Sequence, residues 1–126
     1  MRLLLVLLAI FAVVVALGFW TNHLLEASTG ELLRSIERVA GDVEKNNWED
    51  AHRKVIGLEK VWKKEAGWWP TLLDHQEMDN IEFAMARVKE YVSTRNTALS
   101  MGQLSELKLM IKHIPEKEAL SIENIF

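Results

Sequence analysis

The chain has 126 residues, a net charge of −3 and no cysteine. The lack of cysteine excludes disulfides and a lipid-modified cysteine, and the mild acidity beyond residue 20 gives no electrostatic footprint for nucleic acid. With only six glycines and two prolines, the composition favours an all-α fold over a strand-and-turn architecture.

The first feature in chain order is an apolar run, Leu3 to Trp20, without a charged or polar side chain. At about 1.5 Å per residue this run forms a helix of roughly 27 Å, close to the bilayer hydrocarbon thickness of about 30 Å. Trp20 ends the run with the aromatic residue typical of the headgroup interface. We therefore predict a single transmembrane anchor in residues 1–23 and a junction in residues 24–30.

A cleaved signal peptide is the main alternative to an anchor. Ala16 and Gly18 are small residues at the −3 and −1 positions of a cut before Phe19. The run continues past that cut and exceeds the usual signal-peptide core of about 7–15 residues, which favours an anchor over a leader or a buried core helix. Arg2 is the basic residue on the N-terminal side, so the positive-inside rule predicts a cytoplasmic N-terminus and an extracytoplasmic domain at the cell membrane.

Residues 31–126 carry the three- and four-residue apolar spacing of a helical bundle. Ser28 and Glu31 fit a capping box that starts a helix reaching about residue 46. The anchor could instead run straight into this helix, with Gly30 as its weakest point. Asn47 is predicted to cap a second helix.

The corner at residues 67–70, Gly-Trp-Trp-Pro, is predicted to end the second helix. A third helix is predicted at about residues 71–94, and a fourth at about residues 98–114, where Pro115 ends it. The predicted architecture is a transmembrane helix followed by an antiparallel four-helix bundle of two helical hairpins.

The two predicted hairpins resemble each other at an offset of 49 residues. The aligned pairs include Val39 with Val88, Val43 with Val92, Asn47 with Asn96, Val55 with Leu104, and Leu58 with Leu107. This pattern is typical of a duplicated helix-turn-helix unit, although chance similarity between amphipathic helices also produces it.

Polar residues of the predicted bundle form no strong catalytic or metal motif. The histidines do not form HExxH, and no GxSxG or glycine-rich phosphate loop occurs. His75, Asp79 and Glu82 form one stripe of the third helix, so a small-ligand or metal-binding sensor is our second hypothesis. We assign no catalytic, cofactor or metal residue, and a hydrolase with an unrecognised carboxylate site is a third hypothesis.

The tryptophans suggest where the domain contacts something else. Trp48 and Trp62 lie four turns apart on one helix face, which predicts core packing. Trp68 and Trp69 are adjacent on a corner and cannot easily both point inward, so one exposed indole is expected there. An exposed tryptophan on a tethered domain suits lipid headgroups or a protein partner. We therefore predict partner or lipid contacts at Trp68, Trp69 and the nearby His75.

The order of these motifs resembles a known family. After the N-terminal span come W-x-x-A at Trp48 and Ala51, then Leu58, Trp62, His75, Ile81, Arg87, Val88 and Tyr91, and a terminal Glu123-Asn124-Ile125. Together they resemble an uncharacterised family of short single-span membrane proteins from spore-forming Firmicutes, known only as a domain of unknown function. The resemblance covers essentially the whole chain, supplies no catalytic residue and implies an accessory role at the membrane. The leading prediction is an anchored interaction protein that binds another membrane or envelope protein without cofactors.

Overall fold

The computed structural model describes the backbone of residues 1–67 and 74–125, with side chains in residues 1–67 and 74–114. These ranges contain four helices and no strand: α1 (Arg2–Glu44), α2 (Trp48–Ala66), α3 (His75–Ser93) and α4 (Thr97–Ile125). α1 packs against α2 and α4, and α3 packs against the same two helices. The result is an antiparallel four-helix bundle of two hairpins, which confirms the predicted all-α class.

α1 is one continuous helix of 43 residues, so the apolar run and the first bundle helix are a single element. The predicted helix start at Ser28 is wrong, because Ser28 lies buried within α1. Its hydroxyl donates to Glu65 Oε2 of α2 at 2.7 Å and so joins two helices. Gly30 does not interrupt α1, because a helical glycine costs only about 1 kcal/mol and packing of the bundle face outweighs that cost.

The core consists of one apolar stripe from each helix, and the spacing of three and four residues places each stripe on one helix face. Every apolar position that the sequence pattern predicted for the four helices is either buried or packed against the core. The buried members are Leu25, Leu32, Ile36, Val39 and Val43 in α1, Ala51, Val55, Leu58 and Trp62 in α2, Ile81, Ala84, Met85, Val88 and Val92 in α3, and Leu104, Leu107, Ile111 and Ile114 in α4.

The turns of the two hairpins have the same backbone geometry. In the first turn Asn46 has a φ of 60°, and the Asn47 N–H donates to the Asp42 carbonyl at 2.9 Å. In the second turn Arg95 has a φ of 56°, and the corresponding bond, from Asn96 to Tyr91, is 3.0 Å. The two sets are 49 residues apart, so the sequence repeat corresponds to a repeated helix-turn-helix structure.

The helix starts differ in how their first N–H groups are satisfied. Asp74 Oδ1 accepts from the Glu77 N–H at 2.8 Å before α3, and Asn96 Oδ1 accepts from the Leu99 N–H at 2.9 Å before α4. Asn47 occupies the predicted N-cap position of α2, but its side chain makes no capping bond. The predicted start of the third helix near residue 71 lies outside the described residues.

α4 extends to Ile125, so the predicted end at Pro115 is wrong. Proline removes the bond to the carbonyl four residues earlier, at a cost of about 3 kcal/mol, but its φ near −65° is a helical value. A helix can therefore pass through proline where its surroundings compensate. As a consequence α4 has 29 residues, whereas α2 and α3 have 19 each.

Several ion pairs join neighbouring helices. Lys54 of α2 contacts Asp42 of α1 at 2.6 Å. Lys89 of α3 contacts Glu59 of α2 at 3.4 Å. The half-exposed Lys89–Glu59 pair stabilises by at most about 1 kcal/mol, whereas the Asp42 carboxylate of the other pair is only 12% exposed. The two pairs show which positions of neighbouring helices lie side by side.

Candidate membrane-contact surface

The apolar run of α1 is uncovered in the structure. None of its most apolar 18-residue window is buried, and the mean hydropathy of that window is 3.0. Leu3 is 73% exposed and Trp20 is 60% exposed. Soluble monomers seldom expose a contiguous apolar patch beyond about 600 Å². By length and composition α1 is able to span a membrane, and in this bundle the run is not a core helix.

The bundle begins immediately beyond the apolar run. Leu25, which is fully buried, follows Trp20 by five residues, or roughly 8 Å along the helix. The headgroup layer on each side of a bilayer is about 5–8 Å thick. If the run crosses the hydrocarbon, Leu25, the core residue nearest to the run, lies within the headgroup layer or just outside it.

Buried polar groups join α1 and α2 at the end of the bundle next to the apolar run. The Ser28–Glu65 bond joins the two helices, and the Thr29 hydroxyl donates to the Glu26 carbonyl at 3.1 Å within α1. Ser28 and Thr29 are each at most 5% exposed. A buried hydroxyl without a partner would cost about 1–3 kcal/mol, so the Ser28–Glu65 bond holds the last turn of α2 against α1.

The structure does not gather the predicted His75 stripe into a metal site. His75, Asp79 and Glu82 are exposed on α3. Glu82 Oε1 instead accepts a hydrogen bond from the Trp62 indole of α2 at 3.2 Å. Within residues 1–67 and the described side chains of 74–114, no three metal-binding side chains come together.

The predicted roles of the tryptophans have different outcomes. Trp62 is 3% exposed and belongs to the core, as predicted. Trp48 is half-buried and packs against the edge of the core. The predicted contacts at Trp68 and Trp69 lie outside the described residues. His75, the first residue of α3, is exposed beside the N-cap residue Asp74.

A cleft of about 520 Å³ lies between the two turns, at the end of the bundle remote from the apolar run. Its lining residues are Trp48, Glu49, His52 and Arg53 of α2, Val92 and Ser93 of α3, and Arg95 of the second turn. This mixture of acidic and basic groups selects no single ligand charge. Sequence reasoning missed the cleft because its walls come from two distant turns, although the 49-residue repeat could have placed those turns together.

An exposed ion pair shows the register of α4 against α1. Lys108 of α4 contacts Glu37 of α1. The hydrogen bond from Lys108, its positive charge and the more distant charge of Lys112 hold the pKa of Glu37 below its ordinary value. Position 108 of α4 is therefore close in height to position 37 of α1.

Comparison with protein families gives a match to most of the chain. A family model described as a domain of unknown function (DUF4363) matches residues 19–125. Neither the curated proteins nor the solved structures include a match. The matched region starts where the apolar run ends and includes the whole bundle.

Proposed function

The chain belongs to the family described as a domain of unknown function (DUF4363), and we propose that it is a membrane-anchored interaction protein. In this proposal α1 holds the bundle at the cell membrane, where the bundle binds another membrane or envelope protein without catalysis. The sequence resemblance to single-span proteins of spore-forming Firmicutes supports this accessory role.

The observation that carries the proposal is the exposed apolar run continuous with the bundle. Its 18-residue window carries no buried residue, and the same helix continues into the core at Leu25. A lipid bilayer satisfies such a helix because the backbone bonds are internal and the side chains are apolar. Lipid would cover the apolar run, and the other helices cover the core stripe. Both parts of α1 then have their apolar side chains shielded from water.

The proposed orientation places the bundle outside the cytoplasm. Arg2 precedes the apolar run, whereas the other flank, residues 21–26, contains His23 and Glu26 but no lysine or arginine. Because cytoplasmic flanks are enriched in lysine and arginine, the N-terminus is assigned to the cytoplasm.

A C-terminal alkaline phosphatase fusion tests this orientation, since the enzyme is active only when exported. We expect phosphatase activity from the fusion and a lower activity from a matched fusion in which Arg2 is moved to an exposed position of the other flank (Arg2→Ser with His23→Arg). Activity of a cytoplasmic reporter in place of phosphatase would reverse the assignment.

The proposed partner contact is tested by crosslinking in the native membrane. Trp68→Ala and Trp69→Ala, separately and together, are expected to reduce the yield of a crosslinked partner several-fold. The physical reason is that bulky aromatic residues contribute a large share of binding energy at protein interfaces. Partner yield is measured by affinity capture and mass spectrometry after crosslinking.

Trp48→Ala is the matched control, because Trp48 is half-buried at the opposite end of the bundle. Helical content measured by circular dichroism has to remain unchanged in all four variants. An unchanged partner yield in the double variant with intact helices would rule out a contact at this corner.

A further inference from the structure

We propose that the C-terminal end of α4 is a second membrane contact, placed among the lipid headgroups beside α1. This inference rests on the proposed anchoring by the apolar run. It adds a lipid surface as a binding partner of the bundle itself, separate from the transmembrane segment.

The length and register of α4 carry the proposal. Seventeen residues separate Lys108 from Ile125 in α4, and the same number separate Glu37 from Trp20 in α1. Lys108 and Glu37 are in contact, and the two helices are antiparallel, so position 125 of α4 falls at the height of Trp20. Each stretch is roughly 26 Å long at the usual helical rise.

The two middle helices end farther from the lipid than α4 does. α2 ends at Ala66, one residue beyond Glu65, which bonds Ser28 of α1. By the antiparallel register, the described end of α2 therefore lies near positions 27–28 of α1, about 10 Å above Trp20. Arg87 of α3 donates a hydrogen bond to Gln103 of α4 at 3.1 Å, so His75, the first residue of the antiparallel α3, lies near position 115 of α4. Among the described ends of α2, α3 and α4, the C-terminus of α4 therefore comes closest to the interface, because its helix continues through Pro115.

Burial along α1 agrees with this placement. The side chains of Thr21 and Asn22 are only partly exposed, whereas those of Trp20 and His23 on either side are exposed. The Asn22 Oδ1 atom is sealed from solvent. Thr21, Asn22 and Leu25 share the helix face that continues the core stripe, so the covered face of α1 extends down to the headgroup level.

The sequence of the last eleven residues of α4 suits this position. Residues 115–125, PEKEALSIENI, combine apolar Leu120, Ile122 and Ile125 with four charged residues. Three of the four charged residues are acidic, and phosphatidylcholine headgroups have no net charge to repel them. Apolar side chains favour the acyl boundary and charged ones the hydrated headgroups, so a helix end that carries both is compatible with the interface.

Single cysteines test the proposal directly, because the chain has no cysteine of its own. The full-length protein carries an environment-sensitive fluorophore at Asn124→Cys, or at Ser121→Cys as a second site, in phosphatidylcholine vesicles. Val13→Cys reports on the apolar run, and Ser105→Cys, exposed on α4 farther from the run, is the aqueous control. Quenching by brominated acyl chains and by iodide is compared at each site.

We expect brominated lipid to quench the label at position 124 or 121 several-fold more than the label at 105, and iodide to show the reverse order. If both of these sites behave like position 105 while position 13 is still quenched by lipid, the proposal about α4 is overturned and the anchor stands. If position 13 also behaves like position 105, the anchoring proposal fails and the α4 proposal fails with it.

Discussion

Replacing Ile10 and Val14 by lysine is expected to move most of the protein from the membrane to the soluble fraction. Both side chains lie on the apolar run, are at least half exposed and do not belong to the core. A lysine near the centre of a span costs about 2.5–3.5 kcal/mol, and the lost Ile or Val contributes a few tenths more. The pair therefore opposes insertion by about 6–8 kcal/mol, comparable to the total favourable transfer of the run. Fractionation and immunoblotting measure the result.

Two lysines on the bundle are the matched control for this change in charge. Phe83 and Leu109 are 58% and 67% exposed on α3 and α4. Phe83→Lys with Leu109→Lys should leave the protein in the membrane fraction. Membrane association of the Ile10/Val14 variant at the native level would contradict the anchor. N-terminal sequencing of the native protein separates the remaining alternative, since a cleaved leader leaves Phe19 as the first residue.

Leu107→Ala is expected to destabilise the bundle by about 2–5 kcal/mol. Leu107 has no exposed surface in the core, and truncation there removes apolar contacts and leaves a cavity that helices can fill only in part. For a domain of about 100 residues, 1 kcal/mol shifts Tm by about 4–8 °C, so a fall on the order of 10–30 °C follows. Thermal unfolding followed by circular dichroism in detergent measures the shift.

Leu109→Ala removes the same atoms two residues away on the exposed side of α4. Because Leu109 is 67% exposed, its truncation should change the free energy of unfolding by no more than about 0.5 kcal/mol. Equal losses in the two variants would mean that α4 does not present the Leu107 face to the core.

The sequence was sufficient to predict the helices because hydrophobic periodicity is a local signal. Val39, Val88 and Leu107 each lie three or four positions from other apolar residues of the same helix, and all three are buried. The repeat at an offset of 49 residues likewise predicted two similar hairpins, and the paired turns at Asn46 and Arg95 have that relation.

The errors arose where local signals compete with tertiary structure. Ser28 and Glu31 have the spacing of a capping box, but the Ser28 hydroxyl bonds Glu65 of another helix, which no local pattern reveals. Pro115 is a strong local helix breaker, yet α4 passes through it. The partners of the charged side chains also depended on the packing of helices, as the Asp42–Lys54 contact shows.

For the candidate site, the apolar run and its end at Trp20 were predictable from the order of residues along the chain. The distal cleft was not predicted, because Trp48 and Arg95 meet only after the two hairpins pack together. The His75 stripe, in contrast, was predicted but forms no metal site among the described residues. Helical spacing places Asp79 and Glu82 on the same face as His75, but the face of one helix is too flat to surround a cation.

Because α1 is unbroken, the apolar run and the bundle are rigidly connected. From Trp20 to Glu44 the helix extends roughly 36 Å without a hinge at Gly30. Transmembrane helices tilt by about 20° on average, and such a tilt would displace the distal turns sideways by roughly 12 Å. In the proposed anchored arrangement, a change in bilayer thickness or in a neighbouring span that alters this tilt would move the Trp48 cleft sideways by a comparable distance. The same rigid arm would carry a pull on the bundle back to the membrane.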